Sequence, residues 1–227
     1  TVFTQKLDKF YANANRLGVN LASLITDKLV RNISIKLNDG YINGVKTTKG
    51  GIIESFVPDL LNTFEKTSAY IFDGQKIGFV KSGFATSFDF TSLSNLEAVL
   101  PTEFMQNAIF MMNPKTLALI KNFKDSTGMP LFNQNIGQGL TNGLVKGTLF
   151  GYPVIIEHHM PDVASNSLPI FFGVPRQYYT IYDAFGDTFS QRREPTGTSQ
   201  AVTIVASKYS TGIVSDSQAG IFLKITA

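Results

Sequence analysis

The chain has 227 residues, 20 Lys and Arg against 17 Asp and Glu for a net charge of +3, and a hydrophobic fraction of 43%. A chain of this size buries roughly 70% of the surface its unfolded form exposes, enough for one large core or two modest ones. The longest apolar runs, 108–112 and 153–156, are strand-sized and far short of a membrane span, and the lack of Cys removes disulfides, Cys-ligated zinc, iron–sulfur clusters and thiol nucleophiles together. The cationic surplus is dispersed along the chain, whereas nucleic-acid-binding domains concentrate it on one face. Thr1 is followed by no basic-then-apolar signal pattern, so a processed start is expected.

Over residues 16–37, Leu17, Leu21, Ile25, Leu29, Ile33 and Leu37 recur every four positions, with Leu24 and Val30 beside them, which predicts a helix. Such a row drifts by about 40° per step, so it winds around a rod of roughly 33 Å and needs several different neighbours to cover it. Asn38, Asp39 and Gly40 are expected to end the rod. A Gly- and Lys-rich loop over 44–51 follows, and Phe56, Leu60, Leu61, Phe64 and Tyr70 predict a second helix over 56–70. Asp89, Thr91 or Ser92 can cap a helix through Leu93, Leu96, Val99 and Leu100, which Pro101 stops.

A strand over 108–112 leads to Asn113 and Pro114, a capping residue and a first-turn proline, opening a helix that continues over 116–123. Residues 125–128 read as a turn, and the Gly-rich stretch 133–147 as a long mobile loop. Beyond it the pattern turns extended. Short β-branched or aromatic runs at 152–157, 169–173, 178–183, 189–194, 201–207, 210–215 and 221–226 are separated by Gly, Pro, Asp and Ser. Helices first and strands second give the α+β class.

Chemical centres are scarce. Gly137, Gly139 and Gly143 have the spacing GxGxxxG, not the GxGxxG of a dinucleotide turn, and read as loop. His158 and His159 are the only histidines, and adjacent strand positions point to opposite faces, so a metal site would need Glu157 or Asp162 as well. No GxSxG elbow supports a Ser/His/Asp triad. Asp183 and Asp187 flank Gly186 as a hairpin turn would. Asn32-Ile33-Ser34 is a glycosylation sequon placed inside the long helix.

Arg192 and Arg193 alternate faces, which suits ion pairing with Glu194, within the chain or across a subunit boundary, better than a joint phosphate clamp. No catalytic, cofactor-binding or metal-binding residue is assigned. With 19 Phe, 8 Tyr and only 16% charged residues, the composition is that of a protein that makes contacts.

The order of five segments carries a resemblance. AIFMMNPKT (108–116), NFKD (122–125), STGMPLF (126–132) and LFGYPV (149–154) follow one another, with Met160-Pro161, IFFG (170–173), the 178–183 strand and Arg192-Arg193-Glu194 after them. Upstream, the helix over 21–33 precedes Asn43-Gly44 and Gly50-Gly51-Ile52-Ile53. This order resembles the xxMNPxT, LKDxxGxxLF and LxGxPV signature of tailed-bacteriophage major capsid proteins of the Hong Kong 97-like fold family, across residues 17–226.

The resemblance implies an α+β capsid fold with a long spine helix, a peripheral domain and an axial domain. Residues 1–50 would be the N-terminal part of the peripheral domain with the spine helix at 16–37, and 51–174 the axial domain. Residues 175–215 would supply peripheral-domain strands and 216–227 a strand returning toward the axial domain, with 137–147 near the capsomer centre. The implied function is self-assembly into the icosahedral shell of a tailed phage or prophage. Implied partners are further copies of the chain, enclosed DNA bound without sequence specificity, and a scaffold, a protease and a portal. No membrane or cofactor is implied; the location is the virion, with assembly in the host bacterial cytoplasm.

Arg192, Arg193 and Glu194 are the candidate subunit-interface residues. Family members carry an N-terminal arm and an extended hairpin before the spine helix, and residues 1–16 cannot hold both, so a trimmed chain, monomeric or weakly associated, is expected. No Lys–Asn–Glu cross-linking set is assigned. Two alternatives stay open: an encapsulin-type compartment shell, and a small metal- or ligand-binding α+β domain using Glu157, His158 and His159.

Overall fold

The computed structural model describes residues 2–7, 21–46, 52–71, 73–124, 132, 145–193 and 202–227. The chain forms two compact units: Thr1–Tyr41, Val45–Ile53 and Ile181–Gly212 make one, and Ile42–Gly44, Glu54–Thr180 and Ile213–Ala227 the other.

In the first unit, helix α1 (Leu21–Asn43) carries Leu29, Ile33 and Leu37 on its buried side. Ile33 and Leu37 pack together with Tyr41, whose hydroxyl meets Ser210 Oγ at 2.5 Å. Over Leu29, Ile33 and Leu37 the four-residue spacing delivers the stripe it predicts, whereas Val30 and Ile35, off the stripe, are exposed. Beside the helix is a three-stranded sheet in the order β1 (Val2–Leu7), β11 (Val202–Val214), β10 (Tyr179–Arg193). β1 is antiparallel to β11, with Val2 opposite Ser207 and Leu7 opposite Val202. β2 (Val45–Lys46) and β3 (Ile52–Ile53) form a small antiparallel pair.

The second unit is a mixed seven-stranded sheet in the order β4 (Thr63–Glu65), β5 (Ile77–Lys81), β12 (Gly220–Lys224), β9 (Ile170–Gly173), β6 (Ile109–Met112), β8 (Tyr152–Ile156), β7 (Val145–Leu149). The last strand of the chain is third in this sheet, parallel to β5 and antiparallel to β9. Central strands covered on both faces read as unbroken apolar runs, which explains IFFG in β9 and GIFL at the start of β12, all buried. Phe56, Phe171, Tyr178 and Phe222 meet edge to face or tilted at 4.8–6.0 Å, and the buried Tyr178 hydroxyl donates to Phe56 O at 2.9 Å. Gly173 is required at the β9 end: its φ is +152°, and a Cβ there would lie 2.2 Å from Ala219 O.

Helices α2 (Phe90–Val99), α3 (Thr102–Met105), α4 (Pro114–Lys121) and α5 (Pro175–Tyr178) join these strands. α2 begins as the sequence predicts. Asp89 Oδ1 accepts from Ser92 N at 2.7 Å, and the Ser92 hydroxyl, which also reaches Ser82 O at 2.8 Å, closes a capping box.

Several boundaries differ from the sequence reading. α1 runs through Asn38, Asp39 and a buried Gly40 to Asn43, because the left-handed stop is Gly44 at φ +74°. Residues 16–20 of the expected helix lie outside the described residues, as do 125–128 and most of 133–147. The helix expected over 56–70 is a 3-10 turn at Leu60–Asn62 followed by β4. Pro58 and Asp59, the latter extended at ψ 141°, break the rod at its start, so Phe56 enters the aromatic cluster while Leu61 does not follow it inward. The Asp183–Gly186–Asp187 turn is absent: 179–183 and 189–193 belong to one strand, β10, which passes straight through because it pairs with β11. Likewise 202–207 and 210–214 merge into β11, and β1, β4, β5 and β7 are strands that the sequence pattern did not reveal.

Candidate subunit interface

Arg192 and Arg193 are the last two residues of β10. Glu194 lies outside the described residues. At the other end of this strand Ile181 and Tyr182 are 49% and 54% exposed. Neighbouring strand residues point to opposite faces, so in its own unit the ribbon is bare on both faces here. Across on β11, Tyr209 is exposed too, and Lys208 Nζ lies 3.5 Å from Asp183 Oδ2. A ribbon with aliphatic and tyrosyl side chains on both faces, edged by an ion pair, is suited to lie against another polypeptide.

The MNP turn has a structural task. Asn113 is only 3% exposed and acts in two directions. Its Oδ1 accepts from Thr116 N at 2.7 Å, capping α4, while its Nδ2 faces Met160 O at 3.2 Å, Pro161 O at 3.1 Å and Asp162 Oδ1 at 2.6 Å. The amide thus fixes the β6-to-α4 turn to the loop after β8. Asp162 Oδ2 receives Lys115 Nζ at 2.6 Å, and that hydrogen bond and charge, with the Asn113 amide, hold its carboxyl below the usual range. Sequence reading found the cap but not the bridge, whose only trace was the co-occurrence of MNP with Met160-Pro161.

His159 Nδ1 pairs with Glu157 Oε1 at 2.7 Å, the carboxylate also accepting from His159 N at 3.2 Å, while His158 is exposed. Asp162, the other candidate third ligand, directs both its oxygens to Asn113 and Lys115. Among the described residues no group of three or more His, Cys, Asp or Glu side chains gathers as a metal site would require. None of the described helices is long and apolar enough to cross a membrane. A buried cation that the sequence did not flag is Lys66, 3% exposed, whose stem covers Gly78. Burial pulls its ammonium below the usual lysine range, and the charge of Asp216 opposes that pull.

The model of the Phage capsid family matches residues 14–225. No curated protein sequence matches the chain. Of solved structures, the capsid of a native GTA particle superposes with a TM-score of 0.78 at 24% identity, over 100% of this chain and 72% of that one. The capsid of Myoviridae phage XM1 gives 0.60 at 13%, over 100% and 72%. The SrpI encapsulin complex of Synechococcus elongatus PCC 7942 gives 0.55 at 16%, over 99% and 73%. These likenesses establish the Hong Kong 97-like capsid fold expected from the segment order. With the family model spanning nearly the whole sequence, the chain belongs to the Phage capsid family and is a structural protein of a capsid shell.

Proposed function

We propose that the chain is the major coat subunit of a tailed phage or prophage, closing with copies of itself into an icosahedral shell around DNA. The observation that carries this reading is the family match over residues 14–225. The bare ribbon at Ile181 and Tyr182 supports it, since lateral burial of many such surfaces is how a closed shell accumulates stability from individually weak contacts. In this reading the unit holding α1, β10 and β11 is the peripheral domain and the seven-stranded unit the axial domain. Arg192, Arg193 and Glu194 then pair across a subunit boundary. A scaffold, a protease and a portal act with the shell in the host bacterial cytoplasm, and the subunit's role is geometric, without a catalytic step.

Expression of the complete coding sequence, followed by negative-stain electron microscopy, tests the proposal. Hollow shells are expected, and R192E/R193E should reduce their yield. Monomers alone, even with neighbouring genes co-expressed, would overturn the capsid reading. The likeness to an encapsulin favours one second reading, a cellular compartment shell, and the content of purified particles separates the two: DNA for a phage coat, packed protein for a compartment.

A further inference from the structure

We infer that Asn43 is a site of spontaneous covalent modification, at which Gly44 N closes a succinimide on the side-chain amide and water opens it to isoaspartate or aspartate. The conversion takes a hydrogen-bond donor from the end of α1 and leaves a carboxylate. Asn43 is exposed and is the last residue of α1, and Gly44 after it sits at φ +74° with no side chain beside the attacking nitrogen. The carbonyls of a helix's last turn have no intrahelical partner, so the peptide to Gly44 turns while the helix before it stays wound.

The chemistry needs only water. Gly44 N, its proton taken by solvent base, attacks Asn43 Cγ; the N–Cγ bond forms, the Cγ–Nδ2 bond breaks, and ammonia leaves with a proton from solvent. Water then adds to either imide carbonyl. Breaking the N–Cγ bond gives aspartate, whereas breaking the bond from N to the main-chain carbonyl carbon gives isoaspartate, whose backbone runs through Cγ and carries an extra methylene.

The conversion removes a bond that steadies this end of the helix. Asn43 Nδ2 donates to His159 O at 3.4 Å, both residues in the second unit. That carbonyl is held in place: His159 N and Nδ1 both meet Glu157 Oε1, and Glu157 N donates to Met112 O at 2.9 Å. A carboxylate in place of the amide only accepts hydrogen bonds at neutral pH, so it faces the His159 carbonyl with no proton between them. It also stands at the negative end of the α1 dipole, where the last turn has no basic residue, and one turn from Asp39. These effects all push the same way. Buried Ile42, with Val57 N donating to its carbonyl at 3.0 Å, still holds the residue before. The last turn of α1 therefore loosens from the loop after β8, irreversibly and with the age of the chain.

Incubation of the whole chain, folded and in urea, followed by peptide mapping with mass spectrometry and enzymatic methylation of isoaspartate, tests this. Expected at residue 43 of the folded protein are the deamidation mass and methyl acceptance, at a rate within about tenfold of the urea sample, because the side chain is exposed and its bond to His159 is long. N43Q, whose side chain would have to close a larger and slower-forming ring, should stay unmodified. N43D, and the deamidated fraction of the parent separated by ion exchange, should each melt about 2–4 °C below the parent and exchange amide hydrogens faster over 41–44 and 157–159. Conversion at residue 43 slower than the tenfold bound, or none, would overturn the modification site. A deamidated fraction that melts and exchanges as the parent does would overturn the loosening of α1.

Discussion

Removing the Asn113 side chain separates two functions that one amide combines. In N113A the Thr116 N–H loses its cap, at a cost of about 1 kcal/mol, and the carbonyls of Met160 and Pro161 with Asp162 Oδ1 lose their common donor, a further 1–3 kcal/mol or so for a buried site. The sum, about 3 kcal/mol, is a large part of a typical folding free energy. N113S should recover the cap alone and fall about 1 kcal/mol short of the full loss. N113D keeps the capping oxygen but puts a carboxylate where an amide had been 2.6 Å from Asp162, so it should be the least stable of the three at pH 7. The new carboxyl's folded pKa is raised by that neighbour, so the destabilisation is full above that value and fades as pH falls through it. Urea denaturation followed by circular dichroism at pH 7 and pH 4 measures all of this. The reasoning fails if N113S unfolds within about 0.5 kcal/mol of the parent, because the amide bridge would then contribute nothing, or if N113D matches N113S at pH 7.

Asp89 is held below the usual carboxylate range chiefly by the Ser92 hydroxyl. With the folded pKa depressed, its contribution is present above the unfolded value of about 4 and is lost as pH falls through the folded one, so D89A should cost about 1 kcal/mol in thermal melts at pH 7 and progressively less as the pH falls through the folded value. Tyr178→Phe keeps the ring in its aromatic cluster and deletes the bond to Phe56 O, and should lower stability by about 1–2 kcal/mol, whereas Tyr178→Ala, which opens a cavity, should lose about 3–5 kcal/mol; chemical denaturation ranks the pair. Gly173→Ala brings a methyl to 2.2 Å from Ala219 O and must part β9 from β12, so loss of soluble, cooperatively melting protein is expected on expression.

What the sequence reveals, and what it hides, follows from where each residue gets its information. α2 and α4 were legible because their starts are set locally: Asp89 with Ser92, and Asn113 with Thr116, act within one turn. The central strands were legible because two covered faces force an unbroken apolar run, as in β9 and β12. β10 was misread as two strands because Asp183, Gly186 and Asp187 carry turn preferences that pairing with β11 outweighs, and no local pattern announces a partner some 20 residues away. The bridge from Asn113 to residues 160–162 was hidden for the same reason.

The misreading at 56–70 is of another kind. Leu60, Leu61 and Tyr70 have the spacing and the chemistry of buried residues, and the folded chain gives burial to Phe56 alone among the residues of that expected face. Hydrophobic spacing records that a side chain is to be covered; it does not record whether the cover comes from the same chain. In a capsid-shell protein, the apolar pattern serves contacts between subunits as well as the core of each. A periodicity rule applied to one chain should then fail at its interfaces.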